Sequence, residues 1–199
     1  MHKLTKRHMN DIFELQKVPA CERGNQLWDR LFRGHEFTGE STWVKRKRDT
    51  LRVCLAASAG GHITQLLRLS ESWKGYEVFC VTTTAVVTKK LGDYARVYVV
   101  GECNREHPLR VLRVLMKCIT VAFGERPDVV ISTGAAAGCI MCFLCKLCGA
   151  KVIWLDSITN VEKMSLSGRM VRRIADLCLV QWPELVEKYN GVEYKGSVI

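Results

Sequence analysis

From Leu51 onwards the chain alternates between two patterns of apolar positions. The first is a short, nearly continuous apolar run, at Leu51–Ala57, Tyr76–Thr82, Arg96–Val100, Asp128–Ser132, Lys151–Leu155 and Leu177–Gln181. Such runs mark strands that are buried on both faces. The second pattern recurs at helical spacing. After the first run it carries Leu66, Leu67, Leu69 and Trp73. After the third, Pro108–Phe123 sets Leu109, Leu112, Leu115, Met116 and Ile119 on an apolar side, with Arg110, Arg113 and Lys117 along another. Further helices are predicted at Ala85–Leu91, Gly134–Cys148, Leu166–Ala175 and Pro183–Tyr189, the last with proline at its start. Six apolar strands alternating with helices predict an α/β fold, an open parallel sheet with helices on both faces.

Residues 1–50 break this pattern. They mix Trp28, Phe32, Phe37 and Trp43 with many charges, and short helices are expected only near Asn10–Lys17 and Asn25–Phe32. The chain therefore reads as an N-terminal basic appendage over 1–50 and one α/β domain over 51–199. Net charge is +10, and Lys45, Arg46, Lys47 and Arg48 form a compact basic cluster ahead of the first strand. This surplus suits a phosphorylated substrate or an anionic membrane surface. Nucleic acid is disfavoured, because no aromatic-rich basic face or known binding motif accompanies the charge. Ten cysteines behind a start that lacks an apolar leader suggest reduced thiols in a cytosolic setting. The longest uncharged run, Val129–Cys145, is interrupted by Ser132-Thr133-Gly134. No membrane span is expected, so any membrane contact is peripheral.

Ligands of open parallel sheets bind at the carboxyl ends of the strands, and four loops there hold more chemistry than a turn requires. Ser58-Ala59-Gly60-Gly61-His62 leads from a strand into a helix. Its glycines permit positive φ and close approach of the backbone, and the helix start offers unpaired N–H groups to an anion. The spacing matches neither the dinucleotide fingerprint nor the P-loop. His62 fits three roles: a base toward a hydroxyl, a donor to phosphate, or a cap of the turn. In Gly101–Arg105, Arg105 suits a bidentate contact with phosphate or carboxylate, or a surface pair with Glu102. Ser132–Ala135 follows the fourth strand. After the fifth, Ser165 is a candidate helix cap, and Asp156 suits either a capping role or the orientation of a substrate hydroxyl or His62. The helix with Arg110, Arg113 and Lys117 suits either a membrane surface or its own sheet. Cys139, Cys142, Cys145 and Cys148 repeat every third residue, but each step drifts about 60° around a helix. They are expected to be small apolar fillers, with no metal site.

Several of these stretches form an ordered set: Ser-Ala-Gly-Gly-His at 58–62, Asn104-Arg105, Arg126-Pro127-Asp128 with Ile131-Ser132-Thr133-Gly134-Ala135, Asp156-Ser157, Ser165-Leu166-Ser167-Gly168 and Val180-Gln181-Trp182. From Leu51 to its end the chain resembles the acceptor-binding subunit of a two-component UDP-sugar glycosyltransferase. The type is PssD/EpsE, of bacterial capsule and exopolysaccharide synthesis. Its eukaryotic relative is the membrane subunit of the dolichyl-diphosphate N-acetylglucosamine transferase. The resemblance implies a Rossmann-like domain, the MurG-like N-terminal half of a GT-B fold, on the cytoplasmic face of a membrane. Its acceptor would be a lipid diphosphate-linked sugar.

The UDP-sugar donor site is expected on a separate partner chain in a heterodimer, because Lys195–Ile199 falls about where a second domain begins in a fused enzyme. The resemblance also implies inverting transfer that needs no cofactor or metal, with His62 as the base and Asp156 as runner-up or orienter. The acceptor and its phosphates are expected at Ser58, Gly60, Gly61, Asn104, Arg105, Thr133, Gly134, Ser157, Ser165 and Ser167. Membrane phosphates are expected at Lys45, Arg46, Lys47, Arg48, Arg110, Arg113 and Lys117. Two features depart from the family. Residues 1–50 are polar where the eukaryotic subunit has a transmembrane helix, and Asp156 stands where Glu is common, with a shorter reach. The competing expectation is a non-catalytic membrane scaffold that recruits a partner.

Overall fold

The computed structural model describes residues 50–73, 75–88, 95–102 and 108–198. The cluster Lys45–Arg48, the helices expected ahead of it, and Asn104-Arg105 lie outside the described residues. The chain divides into two compact units, Met1–Arg46 with Leu69–Lys74, and Lys47–Arg68 with Gly75–Ile199. Of the first, Leu69–Trp73 is described, and Ser70–Trp73 forms a single 3₁₀ turn.

The second unit holds a parallel sheet. Its strands are β1 (Arg52–Ala56), β2 (Glu77–Thr82), β3 (Arg96–Val99), β4 (Val129–Ser132), β5 (Lys151–Leu155), β6 (Leu177–Val180) and β7 (Glu193–Tyr194). They lie in the order β3-β2-β1-β4-β5-β6-β7, every pair parallel. Among the described residues are the α-helices α1 (Gly61–Leu67), α2 (Pro108–Glu125), α3 (Ala135–Leu147), α4 (Leu166–Val171) and α5 (Glu184–Lys188). Alternate residues on one sheet face, among them Cys54, Phe79, Val130 and Trp154, join Val114 and Cys118 of α2 and Met141 and Cys142 of α3 in one core. Val53, Leu55, Ile131 and Ile153 on the other face are buried too. Burial on both faces is why these strands read as continuous apolar runs.

The fold class is as expected, with four corrections. A seventh strand, β7, joins the six. Its two residues, Glu193 and Tyr194, carry no apolar run and pair with Leu179 and Val180. Helix α1 stops at Leu67 with Arg68 as its C-cap, so Leu69 and Trp73 fall outside it. Helix α4 likewise ends at Val171, before the expected Ala175. The fourth correction concerns α2. Its core-facing side carries Val114, Cys118, Val121 and Ala122, whereas Leu109, Leu112 and Met116 face outward with Arg110, Arg113 and Lys117. Two sides of this helix are apolar, and periodicity cannot rank them.

The cysteines of α3 are fillers. Cys139, Cys142 and Cys145 are buried in the core. Burial pushes the Cys54 and Cys142 thiols well up and the Cys80 and Cys178 thiols to about 12. Thiols held protonated in this way are inert.

Candidate active site

The connection reverses direction between β1 and β4. From β1 the chain builds outward through β2 and β3, then returns to lay β4 on the other side of β1. In open parallel sheets the carboxyl edge at such a reversal is where ligand crevices form, and the loops after β1 and β4 meet there. Gly60 adopts φ 93°, and a Cβ added at Gly60 or Gly61 would meet nothing within 4 Å, so the turn is open. The first backbone bond of α1 runs from the Thr64 N–H to the Gly60 carbonyl (3.2 Å). The amides of Gly61, His62 and Ile63 thus stand outside the helical ladder. Ser58 is half-buried beside them.

His62 is fixed from across the crevice by a reciprocal pair of bonds. Its Nδ1 lies 2.9 Å from the Thr133 carbonyl oxygen, and the Thr133 hydroxyl donates to the His62 carbonyl at 2.8 Å. A carbonyl only accepts, so Nδ1 carries the hydrogen, and the neutral ring keeps its lone pair on Nε2. Among the described residues, Nε2 has no hydrogen-bond partner. The ring also needs Gly134. A Cβ there would lie 2.6 Å from His62 Cε1 and 2.8 Å from Nδ1, and Gly134 sits at φ 139°. The Gly134 N–H donates to Ser132 Oγ (3.3 Å), which ties this glycine to the end of β4. Thr133 and Gly134, expected at a phosphate, thus make their contacts with His62.

Asp156 is placed differently. It is 1% exposed, and four donors converge on its carboxylate. Oδ1 accepts from the Trp154 indole N–H (3.2 Å) and the Ser165 hydroxyl (2.6 Å); Oδ2 accepts from the Asn160 amide (3.2 Å) and the Ser165 N–H (3.0 Å). These bonds close the loop from Asp156 to Ser165. Of the roles open in the sequence, the geometry is that of a cap, and the group that orients His62 is Thr133. Ser165 also caps α4, its Oγ accepting from the Gly168 N–H at 2.8 Å. Gly168 is required there, since a Cβ would come within 2.6 Å of Asp156 Oδ1 and 2.9 Å of Trp154 Nε1.

The remaining expected hydroxyls are held internally. Ser157 Oγ pairs with Thr159 Oγ1 (3.0 Å), and the Ser167 side chain lies beside Cys139. Sequence reasoning missed the reciprocal hold of Thr133 and the two glutamines behind the site, Gln65 and Gln181. A polar side chain between apolar neighbours, as at Gln181, was the available signal.

A separate hollow of about 140 Å³, lined by Glu77, Val78, Phe79, Arg96 and Glu125, lies at the amino ends of the strands. Arg52 bridges Glu77 and Glu125 there, and Arg96 and Tyr98 also bond Glu125. Its polar groups are engaged with one another, so it staples the edge opposite the crevice.

On α2, Leu109, Leu112, Met116 and Phe123 are 50–80% exposed. At about 100° per residue they form a stripe roughly 60° wide, and Arg110, Arg113 and Lys117 lie between it and the core-facing side. Among the described residues, no helix is long and apolar enough to cross a membrane.

Comparison with known proteins agrees with this architecture. The family described as "Oligosaccharide biosynthesis protein Alg14 like" matches residues 81–198. The "UDP-N-acetylglucosamine transferase subunit ALG14" of Mus musculus is 27% identical over 184 residues, covering 76% of this chain and 85% of that protein. The protein of the same name from Candida albicans is 28% identical, covering 79% and 84%. Among solved structures, Acinetobacter baumannii MurG superposes with a TM-score of 0.61 at 15% identity. The overlap is 75% of this chain but 46% of MurG, so the likeness is one of fold over less than half of that protein. The UDP-N-acetylglucosamine 2-epimerase of Rickettsia bellii gives 0.56 at 15% identity, covering 75% and 45%.

Proposed function

Because the chain belongs to the Alg14-like family of oligosaccharide biosynthesis proteins, we propose that it is the acceptor-binding subunit of a UDP-N-acetylglucosamine transferase. The relatives carry that activity in their names, and the word "subunit" in them supports a second chain. In this reading the partner brings the UDP-sugar, the two form a heterodimer, and this chain brings no cofactor of its own. Its acceptor is a sugar linked to a lipid diphosphate, within lipid-linked oligosaccharide synthesis. The expectation of capsule or exopolysaccharide synthesis is set aside in favour of that route.

The observation that carries the reading is the hold on His62. With Nδ1–H bonded to the Thr133 carbonyl, Nε2 is the basic nitrogen at the crevice. Nε2 takes the proton of the acceptor hydroxyl as its oxygen attacks the anomeric carbon. The bond from that carbon to the UDP oxygen breaks, UDP leaves with the electron pair, and the anomeric centre inverts. The amides at the Gly60–Gly61 turn face the acceptor's diphosphate, where a helix start favours negative charge. The outward stripe of α2 seats in the membrane interface. Arg110, Arg113 and Lys117 reach lipid phosphates beside it, each worth about 1 kcal/mol near an anionic surface. That seat would be on the cytoplasmic leaflet.

The test is transfer from UDP-N-acetylglucosamine to a lipid diphosphate-linked acceptor, with this chain alone and with a candidate partner co-expressed. Transfer that requires both chains, and that falls about 10²- to 10⁴-fold in His62→Ala, is the expected result. Transfer by this chain alone refutes the division of labour. A complex that assembles on membranes without transfer points to the scaffold instead.

A further inference from the structure

Gln65 and Gln181 are buried behind the crevice and have no part in the chemistry above. Gln65 lies one turn beyond His62 on α1 and is 8% exposed; Gln181 follows β6 and is 2% exposed. The Gln181 amide nitrogen donates to Gln65 Oε1 and to the Asp156 carbonyl, both at 2.9 Å. Its oxygen accepts from the Val198 N–H at 2.8 Å. Gln65 Nε2 in turn donates to Ser157 Oγ at 3.4 Å. One side chain thereby joins α1, the loop after β5, the end of β6 and the chain near Val198. Both amide hydrogens and the oxygen of Gln181 are engaged.

Helix α1 has seven residues. That is well short of the roughly 12–15 at which a helix begins to hold itself in water, so its orientation comes from tertiary anchors. Ile63 and Leu66 are buried, but apolar burial is non-directional. The bond from Gln181 to Gln65 is directional, and together with the Thr133 hydroxyl bond to the His62 carbonyl it fixes rotation about the helix axis. A rotation of about 15° carries atoms about 5 Å from that axis through more than about 1 Å. A misplacement of that size at a reacting group costs about 10²-fold in rate.

We propose that Gln181 and Gln65 are positioning residues: they set the rotation of α1 and so aim Nε2 of His62 at the acceptor hydroxyl. This rests on the reading of His62 as the base. Neither glutamine touches substrate in this scheme.

The test uses the full chain with its partner on membranes. Gln181→Met and Gln65→Met keep side-chain length and remove the hydrogen bonds. Each should lower kcat about 10- to 100-fold while the KM of both substrates moves less than about twofold. The double variant should be no worse than the poorer single by more than about twofold, because the two serve one contact. Gln65→Glu keeps an oxygen for Gln181 Nε2, and it should bring kcat back to within about threefold of the parent.

The proposal is overturned if kcat per folded complex is unchanged in the Met variants. It is overturned equally if Glu and Met at position 65 lose the same activity, or if KM rises with kcat constant. Should Gln181→Met fail to assemble, the Gln65→Met and Gln65→Glu pair decides alone. His62→Ala, run alongside, separates the two readings. Full transfer by His62→Ala removes the base itself, whereas its loss beside unimpaired Gln variants removes only the positioning.

Discussion

Replacing Gly134 by alanine moves His62 without altering its imidazole. The added Cβ would sit 2.6 Å from His62 Cε1, against an ordinary contact that begins near 3.4 Å. The ring must therefore retreat by roughly 0.8 Å, the difference between those distances, and this pulls on the 2.9 Å bond from Nδ1 to Thr133. Two costs add. Backbone at φ 139°, ψ −167° belongs to a region almost reserved for glycine, at about 1–3 kcal/mol for another residue. Loss of the histidine bond removes about 1 kcal/mol more. Gly134→Ala should therefore lose about 2–4 kcal/mol of stability, seen as a lower Tm, and about 10²-fold in kcat at a temperature where it is folded.

Gly149→Ala is the control. Gly149 also has positive φ (83°), but its Cβ would meet nothing within 4 Å, and it lies on the turn before β5, at the amino edge. That variant should lose stability and keep its kcat. The assay is acceptor glycosylation by the assembled complex, normalised to folded chain by circular dichroism. Full kcat in folded Gly134→Ala would refute the claim that the fixed imidazole performs the proton transfer.

Three further outcomes follow from the same geometry. Asp156→Ala leaves the Trp154 and Ser165 donors without their buried acceptor, so stability should fall by about 2–4 kcal/mol in denaturant titration, with activity tracking the folded fraction. The outward face of α2 should bind anionic vesicles; Arg110→Gln with Arg113→Gln should weaken sedimentation with them about 30-fold, and Leu112→Glu should weaken it on neutral vesicles as well. Acid should destabilise the edge opposite the crevice. Burial raises the Glu125 carboxyl, but the Tyr98 hydroxyl, Arg52 and Arg96 outweigh it and hold it below 4.5; Asp176 is held below 3.8 in the same way, its burial outweighed by Lys146, the Val152 N–H and Lys151. Carboxylates with depressed values in the folded state stabilise above their unfolded values and lose that contribution as pH falls through the folded ones. Tm should therefore drop below about pH 4.5, and the drop should flatten in Glu125→Gln.

The order of strands and helices was legible because hydrophobic periodicity is a local property. A strand buried on both faces must be apolar throughout, and β1, β2, β4 and β5 announce themselves in that way. The Gly60-Gly61 turn with His62 at its end was legible for the same reason, since a strand, a glycine break and a helix are neighbours in the chain. Where an element is short or polar the signal fades, as at β7, whose two residues become a strand only by pairing with β6.

The roles of individual side chains depended on contacts between distant segments. Thr133 holds His62 across 71 residues because β4 lies beside β1, and that adjacency follows from a sheet order no local pattern encodes. Asp156 and His62 both stood at strand ends with equal claims to chemistry. The carboxylate was then enclosed by four donors, while the imidazole kept one nitrogen without a partner among the described residues. Helix α2 is apolar on two sides, and the sheet covers only one of them. A chain can specify which groups it carries and the period at which it carries them. Which groups end up satisfied and which stay available is fixed when remote surfaces meet, because burial and hydrogen bonding are properties of pairs.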